Sequence, residues 1–400
     1  MTPACALKRR RAHIERVESR PALYATITMV RALLYCVLAM SAACTAVGPG
    51  QPVLDKDELL SGAAFGVAPT VDPPISRAQA FEVDGAMRAF VAARTGRARQ
   101  ERAKLFTLLD AMKDIDLFAL DYAVTSTYTP PVTFREREGN CLSATMLFVL
   151  LAREAGLDVD YQLVSVPPTW SDAPDIIVVS SHVNALVKAR NDRDYVVDFN
   201  EIAYDERFPS HEIGDNYVLA LFYNNLGAEA LIRKDNALSF RYFKAAIGAD
   251  PSISAVWSNL GVLYARQGLD EYAEAAYLQA LSGSARNRTA LTNLVNLYEA
   301  RGDHAAAEAY RERVRRYQDR NPYYHFALAE RAYSEQRLDD ALAAVNRALR
   351  LKGDEREFHH LRGMTYLALG RESEAERSFA RASLYPEPSR SSTTAEDAPL

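Results

Sequence analysis

"REGNCLSATMLFVLLAREAGL", Arg137 to Leu157, decides how the first half of this chain is read. REGN reads as a loop. The apolar run Leu142–Ala155 reads as a buried helix, with Gly156 as its C-terminal cap. Cys141 therefore stands at a helix start, where the macrodipole favours a thiolate. Arg135 and Arg137 add positive charge nearby. The other three cysteines, Cys5, Cys36 and Cys44, all fall within the first 44 residues.

A chain of 400 residues that is 48% hydrophobic and 25% charged can bury two or three cores. Its net charge of −5 excludes the global basic field of a nucleic-acid binder. Past the leader, no stretch reaches the roughly 18 apolar residues of a membrane span.

Residues 1–44 read as a basic leader plus signal peptide, with translation starting at Met29. "MVRALLYCVLAMSAAC" runs from one arginine through an apolar core to small residues. "SAAC" resembles the lipobox of bacterial lipoproteins, although Ser41 stands where that family prefers an aliphatic residue. The resemblance implies lipidation at Cys44. Cleavage after Ala43 without lipid and an uncleaved anchor are the alternatives. Cleavage by either route exports the protein, and the lipobox implies a bacterial cell envelope location, lipid-anchored and facing the periplasm. Residues 45–77, with "GPGQP" and "VDPP", read as a flexible tether.

After export Cys141 is the one unlipidated thiol in an oxidising compartment, where cysteines normally pair. A buried inert cysteine is the bland alternative; the helix-start position favours a reactive one. A nucleophilic thiol needs a base, and the base an orienting group. "YQLVSV" (161–166) reads as a strand, and "DIIVVSSHVNALVKARNDRDYVVDFN" (175–200) as two strands about a polar turn near Arg190–Arg193. Folding that hairpin sets His182 and Asp198 almost opposite, on the same face.

Together, "GNCLSATMLFVLLAREAGL", "SSHVNAL" and "YVVDFN" resemble the bacterial transglutaminase-like cysteine peptidase superfamily. The resemblance implies an α+β papain/transglutaminase-like domain over 78–215, and a triad of Cys141 as nucleophile, His182 as base and Asp198 as orienting acid. No metal or cofactor is expected. "HEIGD" (211–215) lacks the second histidine of a zinc helix, and adjacent His359 and His360 do not share a helical face.

The second half repeats every 34 residues. Leu226, Leu260, Leu294 and Leu328 fall in register. Gly227, Gly261 and Gly363 do so too, with Val295 and Ala329 at the same place, and Ala273, Ala307, Ala341 and Ala375 mark a close approach. This resembles the tetratricopeptide repeat family, about five copies forming an all-α solenoid over 216–385, followed by a disordered tail at 386–400. Such solenoids bind a protein or peptide in a concave groove. The groove-type positions hold Tyr323, Phe326, Glu330 and Tyr333, then Met364 and Leu367; packing against the next repeat, or cover by the tail, is the alternative use of these side chains. Arg311, Glu312 and Arg313 read as a solvated helix face.

Two functions follow. One is an exported cysteine enzyme acting on amide bonds through a thioester, by hydrolysis, deamidation or transglutamination. The other is a non-enzymatic adaptor lipoprotein, with the repeats gripping a partner and the papain-like domain vestigial.

Overall fold

The computed structural model describes residues 54–68, 72–114, 126–165, 169–170, 177–178, 181–190, 194–199 and 209–385. The signal region, the Met29 start, Cys44 and the tail 386–400 lie outside the described residues. Among the described residues no helix is long and apolar enough to cross a membrane.

Of the expected tether, 45–53 and 69–71 lie outside the described residues, and the described parts are packed rather than free. A short helix α1 (Lys56–Leu59) and a 3-10 turn (Ala63–Phe65) lie against the repeat helices. Leu59 is 1% exposed, and its carbonyl accepts the Tyr264 hydroxyl at 2.5 Å. Phe65 stacks on Phe240 with centroids 5.0 Å apart. Further on, the Asp72 carbonyl accepts Arg241 Nη2 and the Ile75 carbonyl accepts the Tyr223 hydroxyl, both at 2.8 Å. Gly62 and Gly66, both left-handed, provide the turns at the 3-10 segment of this strap. The apolar side chains around them find aromatic partners, which composition alone does not reveal.

Three helices follow: α2 (Arg77–Ala80), α3 (Gly85–Thr95) and α4 (Glu101–Asp114). They pack on the α+β unit through Phe90 on Phe134 and the Phe106 ring edge-on to Tyr195. After α5 (Pro130–Glu136) comes α6 (Cys141–Glu154), in which every side chain from Leu142 to Ala152 is buried. A helix apolar all round belongs inside a core. Gly156, at φ +75°, follows its C-cap Ala155, and the Leu157 amide reaches back to the Ala152 carbonyl, so the helix stops where the glycine permits a left-handed residue.

The strands are β1 (Asp158–Ser165), β2 (Thr169–Trp170), β3 (Ile177–Val178), β4 (Ser181–Lys188), β5 (Tyr195–Val197) and β6 (Ser210–Ile213). Four form an antiparallel sheet in the order β5-β4-β1-β6, while β2 and β3 pair with each other inside the β1–β4 connection. Helix α6 lies on β1 and β4, and the Thr145 hydroxyl donates to the Val183 carbonyl at 3.1 Å.

Five helical hairpins follow: α7 (Asp215–Ile232) with α8 (Asn236–Ala249), α9 (Ser254–Arg266) with α10 (Asp270–Gly283), α11 (Arg288–Ala300) with α12 (His304–Asp319), α13 (Pro322–Ser334) with α14 (Leu338–Leu351), and α15 (Arg356–Ala368) with α16 (Glu372–Ala382). Each second helix begins 34 residues after the last. The turn inside every hairpin has one left-handed residue at the same spacing: Lys234, Gly268, Gly302, Gln336 and Gly370. The following amide closes each turn, as when Leu269 N–H reaches the Tyr264 carbonyl at 3.1 Å. This is a tetratricopeptide-type solenoid.

The register glycines have a steric reason. A Cβ on Gly227 would stand 2.6 Å from the Phe243 ring, and one on Gly363 would stand 2.5 Å from that of Phe379; Gly261 meets Tyr277 in the same way. The aromatic always lies sixteen residues on. Where the register holds Val295 or Ala329, that later position is Arg311 or Val345, and the ring is gone. Ser239 replaces the register alanine in the first hairpin and donates its hydroxyl to the Gly227 carbonyl at 2.8 Å.

One buried cluster runs from Leu59 through the sheet unit to Tyr310. Helices α7 to α12 thus share a core with the segments before them. A second cluster begins at Ala329. Between the two, α12 buries only Ala307 and Tyr310 and carries an interlocked row of ion pairs joining Glu308, Arg311, Glu312, Arg315 and Arg316. At this break Leu328, in register with the buried Leu260 and Leu294, is 39% exposed.

Candidate thiol–imidazole–carboxylate site

Cys141 is the first residue of α6. Asn140 caps that helix: its Oδ1 accepts the Ser143 amide at 3.0 Å. Gly139, at φ +152°, makes the approach; a Cβ there would lie 2.9 Å from Ser143 Cβ. The cap is itself anchored. Asn140 Nδ2 donates to Thr127 Oγ1 at 2.8 Å, and the Tyr128 amide donates to Ser143 Oγ at 3.0 Å. The thiol is half-exposed.

His182 lies near the start of β4 and is 1% exposed. Its Nε2 is 2.6 Å from Asp198 Oδ2 and 2.8 Å from Oδ1. The β4–β5 ladder pairs Ala185 with Val197, so its continuation sets Asn184, rather than His182, directly opposite Asp198. His182 is one pleat further along on the same face. Asn184 Nδ2 donates to Asp198 Oδ2 at 3.1 Å and so helps hold the carboxylate. The alternation in "SSHVNAL" already places 182 and 184 on one face, which is the signal that points to Asn184.

Cys141 stands near enough to His182 to help raise the ring's pKa. With Nε2 taken by Asp198, Nδ1 is the ring nitrogen left for the thiol. Burial pushes the imidazole pKa down, but the Asp198 carboxylate and Cys141 outweigh it and raise the ring to about 9. The structure thus brings Cys141, His182 and Asp198 together. Arg135 and Arg137 are exposed, and Arg135 pairs with Glu136 at 2.8 Å rather than attending the thiol.

The expected groove strip divides. Tyr323 and Phe326 pack on Phe358 of the last hairpin, with centroids 5.5 and 4.6 Å away. The Tyr323 hydroxyl also donates to Glu355 Oε1 at 2.7 Å and accepts from Lys352 Nζ at 2.8 Å. These two side chains hold one hairpin to the next, which corrects their reading as an open binding strip. Tyr333 and Met364 are half-buried, and Leu367 is 51% exposed.

No protein-family model matches the chain, and no curated protein matches it. Among solved structures it is similar to MamA, residue 41 to the end, from Desulfovibrio magneticus RS-1, at 17% identity over 43% of this chain and 95% of that one, with a TM-score of 0.24. It is also similar to YrrB, described as a TPR protein with an unusual peptide-binding site, at 16% identity over 41% of this chain and 84% of that one, TM-score 0.24. The solenoid is defined by its own 34-residue register and packing.

Proposed function

We propose that the protein couples a repeat solenoid that binds a protein or peptide partner to a thiol site that acts on amide bonds. In this reading the unit over 78–215 is papain/transglutaminase-like. The supporting observation is that one buried imidazole serves both neighbours: its Nε2 lies 2.6 Å from Asp198 Oδ2, and Cys141 is near enough to raise its pKa. The Cys141 thiolate attacks the carbonyl carbon, and the Cys141 backbone N–H helps hold the oxyanion. The C–N bond then breaks as imidazolium protonates the leaving amine, giving a thioester. Water or an amine resolves it, which separates hydrolysis and deamidation from transglutamination. Asp198 holds the ring in one tautomer. The test is iodoacetamide labelling of Cys141 at neutral pH. Labelling faster than that of a free thiol, slowed in His182→Ala, supports the reading.

A scaffold without chemistry is the second reading. The observation that favours it is that Asp198 is hydrogen-bonded by both His182 and Asn184, two buried side chains, as a purely structural cluster would be. Cys141 labelling at the free-thiol rate, indifferent to His182→Ala, would select it.

Lipid anchoring at Cys44, with the chain facing the periplasm of a bacterial envelope, completes the proposal. Metabolic palmitate labelling should vanish in Cys44→Ser; label that persists overturns the anchor.

A further inference from the structure

We infer that Glu229, in the first repeat hairpin, is a positioning residue for Cys141, so that the solenoid forms part of the thiol site. The inference rests on the proposed thiol chemistry. Glu229 is 102 residues from the segment it holds: its Oε1 accepts the Thr127 backbone amide at 2.8 Å. Thr127 is buried, and its Oγ1 accepts Asn140 Nδ2 at 2.8 Å. Asn140 is buried too and caps the helix that begins at Cys141. Two hydrogen bonds therefore separate a repeat side chain from the cap of the thiol-bearing helix.

The Asn140 amide donates to the Ser126 carbonyl at 3.1 Å, so the lead-in and the cap hold each other from both sides. Burial raises the Glu229 pKa against the opposing effects of the Thr127 hydrogen bond and Arg233, which is 3.9 Å away. Without the acceptor, the Thr127 amide is left unpaired among buried groups, and the lead-in must move to satisfy it. Thr127 Oγ1 then leaves Asn140, the first turn of α6 loosens, and Cys141 shifts relative to His182.

The experiment compares Cys141 alkylation by iodoacetamide at neutral pH in full-length variants, with thermal unfolding measured in parallel. Glu229→Ala should slow labelling about tenfold, whereas Glu229→Gln, which keeps an Oε1 acceptor, should label at close to the wild-type rate. Thr127→Val should slow it as well, and the double variant Glu229→Ala/Thr127→Val should be no slower than the worse single one, because both cut the same path. A merely structural Glu229 would lower the unfolding temperature and leave the labelling rate alone, which overturns the inference. Additive slowing, or failure of Gln to rescue, overturns it too. If wild-type labelling is ordinary and indifferent to His182→Ala, the thiol chemistry itself falls and takes the inference with it. If labelling depends on His182 but not on Glu229, the inference alone falls.

Discussion

Asp198 Oδ2 lies 2.6 Å from Nε2 of His182 and 3.1 Å from Nδ2 of Asn184, so one carboxylate is gripped by two side chains of the neighbouring strand. That grip fixes the ring's orientation before any substrate arrives. Losing it should therefore affect turnover more than folding. On the proposed chemistry, Asp198→Asn should reduce amide turnover about 10²- to 10⁴-fold. Cys141→Ser should abolish thioester formation yet unfold at close to the wild-type temperature, since the swap hardly changes volume. Mass spectrometry for an acyl-enzyme, together with circular dichroism, checks both.

Stability should depend on pH through His182. The folded ring titrates at about 9 against an ordinary 6.5, so the folded state binds the proton more tightly. A raised value gives stability that is complete below 6.5 and is lost as pH climbs through 9. The size is about 3 kcal/mol. Urea unfolding at pH 6 and pH 9.5 should show that fall in wild type and lose most of it in His182→Gln. An unchanged slope in the variant would assign the effect to other groups.

The glycine–aromatic register makes a steric prediction. Gly227→Ala and Gly363→Ala should each destabilise by about 1–3 kcal/mol, because the aromatic ring must shift to admit a methyl group. Ala329, in the same register, faces no ring sixteen residues on. Ala329→Gly should cost only about 1 kcal/mol, the helix propensity difference. Chemical denaturation of the three variants separates the two effects.

Lys234 and Gln336 occupy the left-handed position that glycine fills in the other three hairpins. Gln336→Gly should therefore stabilise the last two repeats by roughly 0.5–1 kcal/mol, relief of strain outweighing the added chain entropy. Hydrogen exchange in α13 and α14 would show it; faster exchange counts against it.

The strap at 54–68 should behave as core. Leu59→Ala should cost about 2–5 kcal/mol and Phe65→Ala a comparable amount, since the Leu59 side chain is buried and the Phe65 ring lies on Phe240 and Tyr264. A free tether would tolerate either change. Thermal unfolding of the two variants decides.

Much of this protein is written in short-range pattern. Helix starts and stops, the 34-residue register, the hairpin turns and the placing of Cys141 at a helix start all depend on neighbours within a few residues. A one-dimensional reading reaches them for that reason. It also reaches the shared face of His182 and Asp198, because strand alternation is local. The remainder depends on which surfaces meet. The β4–β5 register brought in Asn184, and a contact across 102 residues brought in Glu229. Tyr323 and Phe326 suit a groove or an inter-repeat contact equally by pattern, and only the position of Phe358 settled which. The Pro- and Gly-containing stretch before Arg77 became a packed strap because Phe240 and Tyr264 offered it an apolar face. Local sequence sets the conformations a segment can adopt; burial between distant segments selects among them, and only the assembled tertiary structure contains that choice.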